Sequence, residues 1–107
     1  MANPYRGEVS LVLNGRAHVL RLTLGALAEL EQGLGSDSLL GLVERFESGA
    51  FTTADLVALL EAGLRGGGWE GARAELLAGE IEGGPVAAAR VAARLLAVSF
   101  AVSDDAA

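Results

Sequence analysis

The dipeptide Asn14-Gly15 constrains the fold of this chain more than any other pair of residues. It separates two apolar-rich runs, EVSLVL and AHVLRL. Both residues tolerate the positive φ angles that a two-residue hairpin turn requires. Such a turn pairs Leu13 with Arg16, and the register then places Leu11 opposite His18 and Val9 opposite Leu20. The sequence therefore predicts an antiparallel hairpin over about residues 8–23.

The predicted hairpin has one apolar face, made of Val9, Leu11, Leu13 and Leu20. Its other face carries Ser10, Val12 and Val19, with Glu8 and Arg21 placed as a cross-strand pair. A two-stranded hairpin is at best marginally stable alone in water. We therefore expect helices to cover the apolar face.

Helical periodicity follows the hairpin directly. Leucines recur at three- and four-residue spacing from Leu24 to Leu34, with Thr23 placed as the N-cap. A second helix is predicted over about residues 37–47, ending at Ser48-Gly49. A third begins after Thr52, where Asp55 completes a capping box, and stops at the glycines 66–68.

Two further helices complete the prediction. One spans about residues 69–79, and the last opens at Pro85 and runs to about Val102. The predicted fold class is α+β, mostly helical, with an N-terminal β-hairpin packed against four or five short helices. We expect a single domain over residues 1–107, with the hairpin at about 8–23, the helical layer at about 24–102 and a frayed tail at 103–107.

Charge and composition narrow the classes of function. The formal net charge is -6, and all eight basic residues are arginine. Nucleic-acid affinity rests largely on basic surfaces, so a nucleic-acid partner is not expected. The chain has no cysteine and no apolar run long enough to span a membrane. These features predict a cytoplasmic protein with no membrane contact.

The residues that carry chemistry form no catalytic or metal-binding pattern. His18 is the single histidine, and a lone strand histidine is more often a partly buried structural residue than a ligand. The run RGGGWEG lacks the Lys-Ser/Thr of a phosphate-binding loop, and the paired acids fall on expected helix surfaces and ends. The sequence predicts no enzyme activity, no cofactor and no metal.

The last helix is apolar on two sides. One row contains Val86, Ala89, Ala93, Leu96 and Phe100, and we expect it to face the core. The second row, with two arginines beside it, is the candidate partner interface: Arg90, Val91, Arg94, Leu95, Val98 and Val102. A helix apolar on two sides is either sandwiched in a core or docked on another chain, and periodicity leaves both open.

The order of these elements resembles the gene transfer agent family of small proteins from phage-like tail gene clusters. The shared features are the start NPYRGE, the Asn-Gly hairpin, LRLTLGALAELE, LLEAGLRGGG and the Ala-rich helix ending LLAVSF. The resemblance covers roughly residues 3–100, and its most specific part is the strand-to-helix segment. The family is placed among tail assembly chaperones, although its naming also invokes the tail tube.

This resemblance implies a non-enzymatic tail assembly chaperone that binds the tape measure protein and hands it to the tail tube protein. The alternative is a structural tail subunit, at the tube or the tail end. A tube-forming protein normally builds rings from extended sheet, and two strands are few for that purpose. A homo-oligomer is compatible with either role.

Overall fold

The computed structural model describes residues 2–34 and 38–100. A short 3-10 turn, Pro4–Arg6, precedes a hairpin and five α-helices. The elements are β1 Glu8–Leu13, β2 Arg16–Arg21, α1 Leu24–Leu34, α2 Leu39–Ser48, α3 Thr53–Gly66, α4 Arg73–Ala78 and α5 Gly84–Ser99. The fold is α+β and mostly helical, which confirms the predicted class.

The hairpin has the predicted register. Leu13 pairs with Arg16, Leu11 with His18 and Val9 with Leu20. Asn14 and Gly15 have φ angles of 53° and 78°, the left-handed conformation that the tight turn requires. The predicted apolar face is buried, and α5 packs against β1 while α3 packs against β2.

Both outer edges of the hairpin are in contact with other parts of the chain. At β1, the Asn14 N–H donates to the Glu80 carbonyl at 2.7 Å, and the Glu82 N–H donates to the Val12 carbonyl at 3.1 Å. At β2, a Cβ on Gly66 would overlap the carbonyl oxygen of Arg21, and one on Gly67 would overlap that of Val19. Glycine at these two positions therefore allows α3 to lie directly against the strand edge.

The helix starts follow the predicted capping chemistry. Thr23 Oγ1 accepts from the Ala26 N–H at 3.1 Å at the start of α1. At the start of α3, the Thr52 hydroxyl accepts from the Asp55 N–H at 3.0 Å, and the Asp55 carboxylate accepts from the Thr52 N–H at 2.9 Å. This reciprocal pair is the capping box that the sequence predicts.

Two features differ from the prediction, and a third prediction reaches beyond the described residues. The predicted fourth helix shrinks to α4, because the chain around Gly71 is not helical and the helix begins only at Arg73. Leu24, predicted on the buried side of α1, is 85% exposed, because Ala26 and Leu30 turn inward instead. The described part of α5 ends at Ser99, so the predicted extension to Val102 and the predicted frayed tail lie outside the described residues.

Candidate partner-binding groove between two helices

The orientation of α5 decides which of its two apolar rows a partner can reach. Its buried residues are Ala88, Ala92, Leu95 and Leu96. Leu95 is fully buried, and its Cδ2 lies 2.6 Å from the position that a Cβ on Gly63 would occupy. The missing side chain at Gly63 thus makes room for Leu95 between α3 and α5.

In this orientation of α5, the residues that the sequence suggests as a partner interface are not all at the surface. Arg90 and Arg94 are exposed, whereas Val91 and Val98 are partly buried against the core. Leu95 belongs to the core and is not accessible to a partner in this fold, and Val102 lies outside the described residues. Among the described residues of that row, the two arginines are the most accessible to a partner.

The opposite row of α5 was expected to face the core, and most of it faces solvent. Val86 is 63% exposed and Phe100 is 40% exposed, and Ala93 is exposed as well. Of that row only Leu96 is buried. Both rows are apolar with similar spacing, so periodicity alone could not predict which row faces the core. The decisive signal is Gly63 on another helix, which the sequence does not connect to α5.

The exposed row forms one wall of an apolar groove, which we call the α2–α5 groove. It has a volume of about 330 Å³ and is lined by Val43, Phe46 and Glu47 from α2 and by Ala93, Leu96, Ala97 and Phe100 near or in α5. The small side chains of Ala93 and Ala97 leave the groove open along the C-terminal half of α5. Leu40, which is 67% exposed, lies on the same side of α2 as Glu47 and extends this apolar surface.

The charges beside the groove differ in sign between its two sides. Glu44 and Glu47 lie on α2, and both are exposed. Arg90 and Arg94 lie on α5, one turn apart, beside the row that contains Ala93 and Ala97. At 100° per residue the arginines fall on the flank of this row that points away from α2. The groove therefore has an acidic flank and a basic flank.

A partly buried ion pair joins α2 to the start of α3. Arg45 Nε donates to Asp55 Oδ2 at 2.9 Å, and its Nη2 donates to Asp55 Oδ1 at 3.0 Å. The hydrogen bond from Arg45 is the main reason that the pKa of Asp55 lies below its ordinary value, with the Thr52 N–H contributing and burial opposing. Phe46 and Phe51 stack with a centroid separation of 4.4 Å beside this pair. These contacts hold the groove wall in place, and the sequence offered no signal for the Arg45–Asp55 pair.

Comparison with known protein families places the chain in one of them. A family model described as phage tail tube protein, GTA-gp10, matches residues 6–102. The chain belongs to this family. The resemblance to gene transfer agent tail proteins is thereby confirmed, and the chain is a tail-related protein of that kind. No curated protein and no solved structure is detectably similar to the chain.

The family description bears on the two roles considered from the sequence. It names a tail tube protein, so it favours the structural subunit, which was the alternative, over the assembly chaperone. It also describes a structural protein family rather than an enzyme family.

Two further clefts of this GTA-gp10 family member carry little chemistry. In one of about 400 Å³, Glu61 accepts from Arg65 at 2.7 Å and from Arg73 at 2.8 Å. Burial raises the pKa of Glu61, but the two arginines together outweigh it and hold that pKa below its ordinary value. Among the described residues, no three His, Cys, Asp or Glu side chains cluster as metal ligands. His18 lies partly buried in β2, and Trp69 packs against the core from the loop before α4.

No helix in residues 2–34 and 38–100 is both long and apolar enough to cross a bilayer.

A second apolar cleft, of about 250 Å³, lies between α3, α4 and α5, with Leu77 exposed at its margin. No charged side chain lines it. It therefore lacks the paired charges that flank the α2–α5 groove.

Proposed function

We propose that this protein is a non-enzymatic tail assembly chaperone that holds a helical segment of the tape measure protein in the α2–α5 groove. The observation that carries this proposal is the exposed apolar row of α5 facing a second apolar wall from α2. An amphipathic helix that lies in such a groove buries its apolar face through side chains at helical spacing.

The dimensions of the groove support a helix as the occupant. The stretch from Ala93 to Phe100 that lines the groove spans about 11 Å, which matches about two turns of a partner helix. Alanine at positions 93 and 97 allows the axes of two helices to approach to roughly 8–10 Å. Phe100 at the end of α5 supplies a large apolar side chain that packing can bury further.

The flanking charges give the partner helix a defined orientation. A helix with basic residues along one side and acidic residues along the other would place them against Glu44 and Glu47 and against Arg90 and Arg94, respectively. Exposed pairs of this kind add little affinity, but they select the register and direction of the helix.

A second candidate function is that of a tail tube subunit, and the description of the family is the observation that favours it. Extension of the hairpin by a neighbouring subunit is opposed by its occupied edges. A new strand at β1 would displace the segment that bonds to Val12 and Asn14, and one at β2 would displace α3. A tube subunit would therefore use its helical surface, including the α2–α5 groove, to contact the next copy.

Co-expression with the tape measure protein of the same particle tests the proposal. We expect the two proteins to co-elute in size-exclusion chromatography with light scattering, and the tape measure protein to be insoluble when expressed alone. Ala93→Glu should abolish co-elution while preserving the unfolding transition. Ala54→Glu, on an exposed position of α3, is the matched control and should co-elute normally.

Two outcomes would favour the tube subunit instead. One is assembly of the purified protein into rings or tubes, lost in Ala93→Glu. The other is recovery of this protein in finished particles at many copies per tail, since an assembly chaperone leaves before the particle is complete.

A further inference from the structure

We infer that the cleft between the N-terminal turn, the end of β2 and the end of α5 is a binding site for a protein carboxylate. This cleft has a volume of about 390 Å³ and shares no lining residue with the α2–α5 groove. Its lining includes two arginines, Arg6 and Arg21, together with Thr23 and Ser99.

The two arginines lack an acidic partner within the described part of the chain. Arg21 lies opposite Glu8 in the hairpin register, which is the cross-strand pair that the sequence suggests. The Glu8 carboxylate instead accepts from the Asn3 N–H at 2.9 Å. Neither Arg6 nor Arg21 forms an ion pair with any residue in 2–34 or 38–100. In a chain of net charge -6, these two unpaired arginines line one cleft together.

Neutral groups in the same cleft also suit an anion. The Ser99 hydroxyl is buried and has no hydrogen-bond partner among the described residues. An unsatisfied buried hydroxyl is unfavourable, and rotation about its side-chain bond can turn its O–H toward an acceptor in the cleft. Thr23 caps α1, so the positive end of that helix dipole lies at the cleft margin.

A carboxylate is the ligand that this set of donors fits within a protein assembly. Each guanidinium can donate two parallel hydrogen bonds to a carboxylate, and such charge-assisted bonds are about twice as strong as neutral ones. The ligand we propose is therefore an aspartate or glutamate side chain of a protein segment. The cleft is separate from the α2–α5 groove, so a test of carboxylate binding does not depend on the proposed chaperone role.

An NMR titration of the full chain tests this site. The chain itself carries Asp104 and Asp105, so the titrated protein is the Asp104→Asn/Asp105→Asn variant, and the probe is an end-blocked peptide Ser-Asp-Asp-Ala. We expect saturable shifts of the backbone amides of Gly7, Leu22 and Ser99. A peptide with both aspartates replaced by asparagine should produce none.

Variants define the donors. Arg6→Gln/Arg21→Gln should weaken the binding of the aspartate peptide at least tenfold, whereas Arg16→Gln/Arg94→Gln, which removes two exposed arginines elsewhere, should change it less than twofold. Ser99→Ala should weaken binding by about threefold, with Ser10→Ala as its unaffected control. Equal weakening by the two arginine pairs would overturn the site in favour of general charge attraction.

A separate comparison identifies whether the carboxylate comes from this chain or from another protein. Shifts of the same amides between the unsubstituted chain and the Asp104→Asn/Asp105→Asn variant would assign the carboxylate to this chain. Their absence, with peptide binding intact, would assign it to another protein. Stronger binding of inorganic phosphate than of the peptide would overturn the carboxylate assignment.

Discussion

The contact between the hairpin and α3 and the groove between α2 and α5 use small residues in opposite ways. At the first, Gly66 and Gly67 bring a helix so close to β2 that no side chain fits between them. At the second, Ala93 and Ala97 are equally small but lie at the surface, with nothing from the described chain above them. In the first region the small residues allow two elements to pack in direct contact. In the second region they leave a surface that a partner can reach.

This contrast separates residues that specify the fold from residues that are available for function. Small residues inside a contact allow close packing and are intolerant of added volume. Small residues on an open face contribute little to folding stability, so a change there affects mainly what can dock. The following variants test that division, in order of decreasing expected effect on stability.

Leu95→Asp should have the largest effect, because it places a charge at a fully buried position and removes a core side chain. The combined cost of about 4 kcal/mol or more is comparable to the whole stability of a small domain. We expect no cooperative transition in thermal or urea unfolding followed by circular dichroism. Ala93→Asp, two residues away on the open side of α5, should unfold normally. A folded Leu95→Asp protein that had lost only its partner would restore the sequence-based interface at this residue.

Gly66→Ala should destabilise the protein by roughly 3 kcal/mol, because its Cβ would overlap the carbonyl oxygen of Arg21 and force α3 off the strand. Gly33→Ala in α1 is the control, since a Cβ there meets no atom within 4 Å. That control should stabilise the protein by about 0.5–1 kcal/mol through helix propensity. Urea unfolding measures both, and equal effects of the two substitutions would contradict a closed contact at β2.

Asp55→Asn should cost about 2 kcal/mol at neutral pH, because it removes a charged partner of Arg45 from a mostly buried site. The folded-state pKa of Asp55 lies below its unfolded value. The contribution of the carboxylate is therefore fully present above about pH 4 and is lost as the pH falls through the folded pKa. The stability difference between the two proteins should shrink below about pH 4 in urea titrations. A difference that stays constant down to pH 2 would show that the pair does not depend on the charge of Asp55.

Phe100→Ser should have the smallest effect on stability, about 1–1.5 kcal/mol, because Phe100 is already 40% exposed. It should nevertheless weaken partner binding in the α2–α5 groove at least tenfold, as judged by co-elution with the tape measure protein. Leu77→Ser removes a similarly exposed apolar side chain from the other cleft, and partner binding should be unaffected. The reverse result would move the binding site to the cleft between α3, α4 and α5.

Local signals were sufficient to predict much of this fold. Asn14-Gly15 determined the exact pairing of the hairpin, and Thr52 with Asp55 determined the start of α3. Both signals act over a few residues, through backbone conformation and hydrogen bonds that need no tertiary partner. Pro85 likewise marked the start of α5.

The candidate site was harder to predict because it depends on contacts between distant elements. The two apolar rows of α5 have nearly the same composition, and the choice between them is made by Gly63 in α3, which admits Leu95. The wall from α2 is positioned by Arg45 and Asp55, ten residues apart on different helices. The periodicity of one helix predicts neither the contact between Gly63 and Leu95 nor the pairing of Arg45 with Asp55.

The segment that closes the outer edge of β1 also has a consequence for synthesis on the ribosome. Asn14 accepts from the Glu80 N–H through its side chain and donates to the Glu80 carbonyl through its backbone, across 66 residues of sequence. At ordinary translation rates, that interval lasts on the order of several seconds. During it, a nascent chain presents an unpaired strand edge, the kind of surface that recruits other strands. Slow translation between the hairpin and residue 80 should therefore lower the yield of native protein, even though it changes no contact in the finished fold.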